Sequence, residues 1–72
     1  KPFITVELFP LDKASLKLAG RKYPRAEVSA RNIPMTSDEL RKRLGVKSGP
    51  EYHIFGFSTP SGRILAVCRP CN

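Results

Sequence analysis

Hydrophobic and polar residues change period four times along this chain, and each change marks an expected element. Over residues 3–9, Ile4, Val6 and Leu8 alternate with Thr5 and Glu7, which predicts a strand burying that face, with Phe3 and Phe9 on the other. Pro10 closes it. Asp12 then offers an N-cap, Leu11 a staple to Leu16 and Gly20 a terminator, so a short helix is expected through Leu18. Residues 21–25 read as a basic loop. A second alternation over 26–31 places Ala26, Val28 and Ala30 on one side and predicts another strand. If these two strands are parallel, the helix between them is a right-handed crossover.

The stretch 35–46 carries the fullest helix signals. Thr36 suits an N-cap, Glu39 can reach back to the cap's own N–H, and Met35 can staple onto Leu40. Asp38 and Glu39 sit at the positive end of the helix dipole and Arg41, Lys42 and Arg43 at the negative end, while Gly45 suits the left-handed closing residue and Val46 can fold back onto Leu40. A polar loop over 47–51 follows. Residues 52–58 and 63–69 then read as an antiparallel hairpin turning through Thr59, Pro60, Ser61 and Gly62. Both sides of the run 52–57 are bulky and apolar, so its inward face stays open. The expected order is β-α-β-α-β-β, an α+β layer of about four strands with two short helices on the sheet.

Size and charge narrow the function. A chain of 72 residues makes one small domain, and it buries only roughly 60% of its unfolded surface, leaving little room for an enclosed catalytic pocket. Its 13 basic and 6 acidic residues give a formal charge of +7, which favours phosphate-bearing partners. Between positions 21 and 47 there are eight cations, Arg21, Lys22, Arg25, Arg31, Arg41, Lys42, Arg43 and Lys47, against Glu27, Asp38 and Glu39. These eight are the candidate contacts to a nucleic acid's phosphates, with Tyr23 available to stack on an exposed base. The plainer reading of Arg41 to Arg43 is a solvated helix end satisfying its own dipole.

Catalytic and cofactor chemistry find little support. His53 is the sole histidine, and no acid is spaced to orient it. Cys68 and Cys71 have a CxxC spacing, but a structural zinc needs four ligands, and a redox pair needs a helix where Pro70 and the end of the sequence stand. Both cysteines are therefore read as structural, with Cys68 buried at a strand end and Cys71 in a frayed tail. Five dispersed glycines form no phosphate-cradling loop, so no catalytic residue, metal or cofactor is expected in these residues. No apolar run is long enough to span a bilayer and no signal-peptide pattern appears, which makes a reducing, cytoplasmic setting the expectation. Lys1 leads almost directly into a strand, so the chain is expected to be a fragment of something longer.

The run from Arg25 through Arg31, Asn32, Ile33 and Pro34, then Ser37 to Leu44, Tyr52 to Gly56 and Ile64 to Arg69, resembles the THUMP-like C-terminal domain of bacterial class I S-adenosylmethionine-dependent methyltransferases of the Bacteroidetes type. The likeness covers nearly the whole chain and is most specific where Arg31-Asn32-Ile33-Pro34 feeds Glu39-Leu40-Arg41-Lys42-Arg43-Leu44. It implies that residues 1–72 are an accessory domain whose parent binds S-adenosylmethionine in a separate, N-terminal catalytic domain, and that its partners are RNA, either tRNA or rRNA, and that methyltransferase domain. It transfers no residue roles. The leading expectation is a non-catalytic domain that binds RNA and positions substrate. The alternative is a structural module that packs Phe55, Phe57 or Leu65 against the methyltransferase domain and touches no RNA.

Overall fold

The structure, a computed structural model, describes residues 3–70. The elements follow the expected order: β1 (Phe3–Pro10), α1 (Lys13–Lys22), β2 (Glu27–Arg31), α2 (Ser37–Leu44), β3 (His53–Thr59) and β4 (Gly62–Pro70). They form one four-stranded mixed sheet in the order β1-β4-β3-β2, with both helices on one side. The hairpin turns where Thr59 pairs with Gly62, and the Thr59 hydroxyl accepts from the Ser61 N–H at 3.2 Å and donates to the Gly62 carbonyl at 2.8 Å.

The crossover lies one unit later than expected. β1 and β2 occupy opposite edges of the sheet, and β2 instead runs parallel to β3 through α2. Alternation in the sequence marks a strand without naming its neighbour. β4 is what separates the two edges, pairing antiparallel with both β1 and β3.

β1 also departs from its expected face. The pairing register slips between Thr5 and Glu7, so Ile4 lies opposite Arg69 while Leu8 lies opposite Ala66, on the other side of the sheet. One extra residue in an edge strand reverses the alternation beyond it. Ile4, Val6 and Leu8 consequently share no buried face and are 40%, 43% and 59% exposed, whereas Phe9, opposite Leu65, enters the core.

α2 follows its signals. Thr36 Oγ1 accepts the Glu39 N–H at 3.1 Å, and Gly45, at φ +74°, returns its N–H to the Arg41 carbonyl. Glu39 does not close the reciprocal half of that cap, because its carboxylate lies 3.5 Å from Arg43 one turn on. α1 runs four residues further than expected, through Gly20 to Lys22, with Tyr23 returning its N–H to the Ala19 carbonyl. Gly20 is no terminator. It is the point where α1 meets the backbone of α2, and a Cβ there would collide with the Leu44 carbonyl oxygen.

Beneath the helices, the inward side of β3 is Ile54 and Gly56, facing Leu40 and Ile33. Leu40, Ile54, Leu65 and Val67 are the largest fully buried side chains, each contributing roughly 1.5–3 kcal/mol of apolar burial. Leu65 thus belongs to the core and is not available to the packing surface proposed for it on sequence grounds. His53, Phe55 and Phe57 project from the opposite side of the sheet, which no helix covers.

Candidate nucleic-acid interface

The extension of α1 decides where the positive charge lies. Lys13, Lys17 and Arg21 fall at i, i+4 and i+8 and share one side of the helix. Lys13 and Lys17 line a shallow open groove with Leu16 and, across from them on α2, Arg43. None of the groove's lining residues is acidic. Its volume is about 270 Å³, and its geometry suits extended phosphate contact rather than enclosure of a small molecule.

The eight cations singled out in the sequence are distributed over several places. Arg21 is exposed in the last turn of α1. Arg25 and Lys47 are brought side by side in a short parallel bridge, held where the Ala26 N–H donates to the Lys47 carbonyl at 2.8 Å and the Lys47 N–H to the Pro24 carbonyl at 2.9 Å. Arg41, Lys42 and Arg43 occupy the last turn of α2, with Arg41 3.8 Å from Asp38 and Arg43 3.5 Å from Glu39. Exposed pairs of this kind are worth only about 0.3–0.5 kcal/mol, so a phosphate can displace the carboxylate.

Lys22 and Arg31 stand apart. Lys22 Nζ donates to Glu7 Oε1 at 2.8 Å and so ties α1 to the edge strand. Arg31 lies on the helix-free side of the sheet, its guanidinium carbon 5.7 Å from the Phe55 ring centre. Lys13 and Lys17 lie within the helix expected from the sequence, but their place beside Arg43 depends on the packing of α1 against α2, which no local signal discloses.

Tyr23 does not serve as a stacking platform. It is 7% exposed, its hydroxyl donates to Glu7 Oε1 at 2.7 Å, and its ring meets Tyr52 edge to face at 4.8 Å. Burial, and then the hydrogen bond to Glu7, push its pKa up from 10 to about 12. In return, the hydrogen bonds from Lys22 and Tyr23 hold the Glu7 carboxyl below its ordinary value. Ionisation of the phenol therefore belongs to unfolding in strong alkali. The contribution of the raised pKa is complete below pH 10 and is lost as pH climbs through about 12.

His53 stacks on Phe55, with ring centres 4.1 Å apart and planes within 8°, and shares a 2.8 Å hydrogen bond between Nε2 and the Ser29 hydroxyl. Burial above all depresses its pKa, opposed by Glu27 and assisted by Arg31. The fold thus prefers the neutral ring, so this contribution is complete above pH 6.5 and is lost as pH falls through the lowered folded value. The expected result is a thermal midpoint that drops between pH 7 and pH 5. The drop should flatten in His53→Gln, with circular dichroism melts across that range as the check.

Among the described residues, no group of three or more His, Cys, Asp or Glu side chains is gathered to hold a metal. Cys68 is buried beside the Thr5 hydroxyl at 3.9 Å, and Cys71 lies outside the described residues. The hollows of about 530 and 590 Å³, one at Tyr52 and Arg69 and the other at the β3–β4 turn, are wide open. Among the described residues, no helix is long and apolar enough to cross a membrane.

Fold and site together define a small α+β domain with cations on its helix side and an apolar, uncovered sheet on the other. A family model described as THUMP domain-like matches residues 1–70, and the chain belongs to that family. The crystal structure of a candidate methyltransferase from Porphyromonas gingivalis W83 shares the fold, with a TM-score of 0.85 and 30% identity over 97% of this chain. The match spans 18% of that longer chain. None of the curated proteins compared matches the sequence.

Proposed function

We propose that this domain is the non-catalytic, RNA-holding part of a cytoplasmic S-adenosylmethionine-dependent RNA methyltransferase, with tRNA or rRNA as substrate and the chemistry carried out in an N-terminal domain. One observation carries the RNA half of this reading. Lys13 and Lys17 on α1 meet Arg43 on α2 around a groove that no acidic residue lines, on a chain of net charge +7. Lysine and arginine along an open groove gain affinity by releasing the counterions of a polyanion. Likeness to the P. gingivalis methyltransferase supports the other half.

The test is a fluorescence-anisotropy titration with structured RNA, and with duplex DNA as control, at low and physiological salt. RNA-preferring binding whose logarithm falls linearly with log salt is expected. Equal, weak binding to both nucleic acids would reduce the charge to a generic attraction, and no binding at low salt would end the RNA reading.

A further inference from the structure

The side of the sheet away from the helices is apolar and uncovered. Phe3, Leu8, Phe55, Phe57 and Ile64 project from it over a floor of Ala66, and Phe3 and Leu8 are 43% and 59% exposed. A contiguous patch of this kind on a small, strongly basic chain marks an interaction surface. We propose that this face docks against the methyltransferase domain of the parent chain. This rests on the part of the functional reading that places the domain in a longer methyltransferase, and it is independent of RNA.

Three observations select that occupant. The first concerns the aromatic rings, which are already engaged. Phe55 has His53 stacked on it at 4.1 Å and the Arg31 guanidinium 5.7 Å from its ring centre, while Phe3 meets both His53 and Phe55 edge-on at 5.4 and 5.7 Å. A base would have to break these contacts before it could stack. The second is charge. Among the described residues, the cation on this face is Arg31, and Glu27, in register with His53, offsets it. The net charge of +7 is therefore expressed elsewhere, chiefly on the helix side, and a phosphate chain gains little here.

The third is area. Three strand spacings of about 4.8 Å and some seven residues of rise at about 3.3 Å make a plane of roughly 330 Å². A stable complex of separate molecules buries about 800 Å² per partner, so a second copy of this chain finds too little surface. A domain tethered in the same chain needs far less, because its partner is always at high effective concentration. The related P. gingivalis chain, of which this fold matches only 18%, has the remaining length to supply such a partner.

Hydroxyl-radical footprinting of the wild-type full-length parent chain tests this without a mutation. Leu8 and Leu18 have the same intrinsic reactivity, and within the domain Leu8 is the more exposed, at 59% against 49%. Docking reverses that order, so Leu8 is expected to be oxidised at least fivefold more slowly than Leu18 in monomeric, RNA-free protein. Oxidation of Leu8 as fast as Leu18 would overturn the proposal. So would protection that disappears on dilution together with a dimer, which assigns the face to a second copy, or protection that appears only when RNA is added. RNA binding measured on the same preparation separates the two readings, since its absence alongside a protected Leu8 would refute the RNA reading alone.

Discussion

Gly20→Ala is expected to unfold much of the population at 37 °C, although the same change in an ordinary helix is stabilising by about 1 kcal/mol. The sign reverses because of what lies against the residue. A Cβ at Gly20 would collide with the Leu44 carbonyl oxygen and stand 2.9 Å from its carbon, and both are backbone atoms. No side-chain rotation relieves such a contact, so α1 and α2 must separate and loosen the packing of Leu16 and Leu40 beneath them. Overpacking typically costs about 1–3 kcal/mol, and a collision with helix backbone belongs at or beyond the upper end. A domain of 72 residues has about 4–11 kcal/mol of total stability to lose, at roughly 0.05–0.15 kcal/mol per residue. A loss of about 3 kcal/mol should lower the melting temperature by more than about 12 °C in a domain of this size. Gly45→Ala is the control. Its φ of +74° penalises a side chain, but nothing lies within 4 Å of the added Cβ, so the cost should be about 1–2 kcal/mol. Thermal melts of both variants decide the matter, and equal shifts would show that the helix contact is softer than its geometry implies.

The same residue shows what the sequence could and could not disclose. Gly20 looks like a helix terminator, since glycine is common just past a C-terminus and a basic stretch follows it in the sequence. Nothing local reveals that Leu44, twenty-four positions away, demands the missing Cβ. α2 was legible in almost every respect because its signals are local: Thr36, Asp38 and Gly45 each act within a turn of where they stand. The turn of the hairpin was legible for the same reason.

β1 was misread on its buried face. The slip between Thr5 and Glu7 is set by pairing with β4, some sixty residues away, and it sends Ile4 and Leu8 to opposite sides of the sheet. The grouping of the candidate residues was hidden for a related reason. The surplus of cations was plain, but its grouping depended on the length of α1 and on the side of the sheet to which β2 turns Arg31. Tyr23 looked like an exposed ring in a basic loop, whereas the hydrogen bond to Glu7 and the contact with Tyr52 are both long-range.

These corrections change how the two functional expectations relate. On sequence alone, an RNA-holding domain and a module packed on its own catalytic domain stand as alternatives. In the folded chain the cations of α1 and α2 and the apolar residues Leu8, Phe55 and Phe57 lie on opposite sides of one sheet. One domain can then face a polyanion with its helices while its sheet rests on a protein partner, and each role can fail without the other.

Replacing Lys13, Lys17 and Arg43 together with alanine should therefore cost RNA affinity in a salt-dependent way while leaving the sheet face untouched. Each cation that neutralises a phosphate contributes about 0.7 to 0.9 to the slope of log affinity against log salt. Losing three should lower that slope by roughly 2 to 3, and across a fourfold change in salt, from 50 to 200 mM, the gap between wild type and variant should close by about 20- to 40-fold. The fold should survive. Lys13 and Lys17 make no ion pair among the described residues, and Arg43 has only the 3.5 Å contact with exposed Glu39. Lys22→Ala sharpens the comparison, because its ammonium is already held by Glu7 at 2.8 Å. That variant should loosen the β1 edge and leave the salt slope within experimental error. Arg41→Ala, Lys42→Ala and Arg43→Ala together remove one groove residue and two helix-end cations. A smaller loss of slope than for the groove variant places the RNA between the helices, whereas a larger one moves the contact to the end of α2.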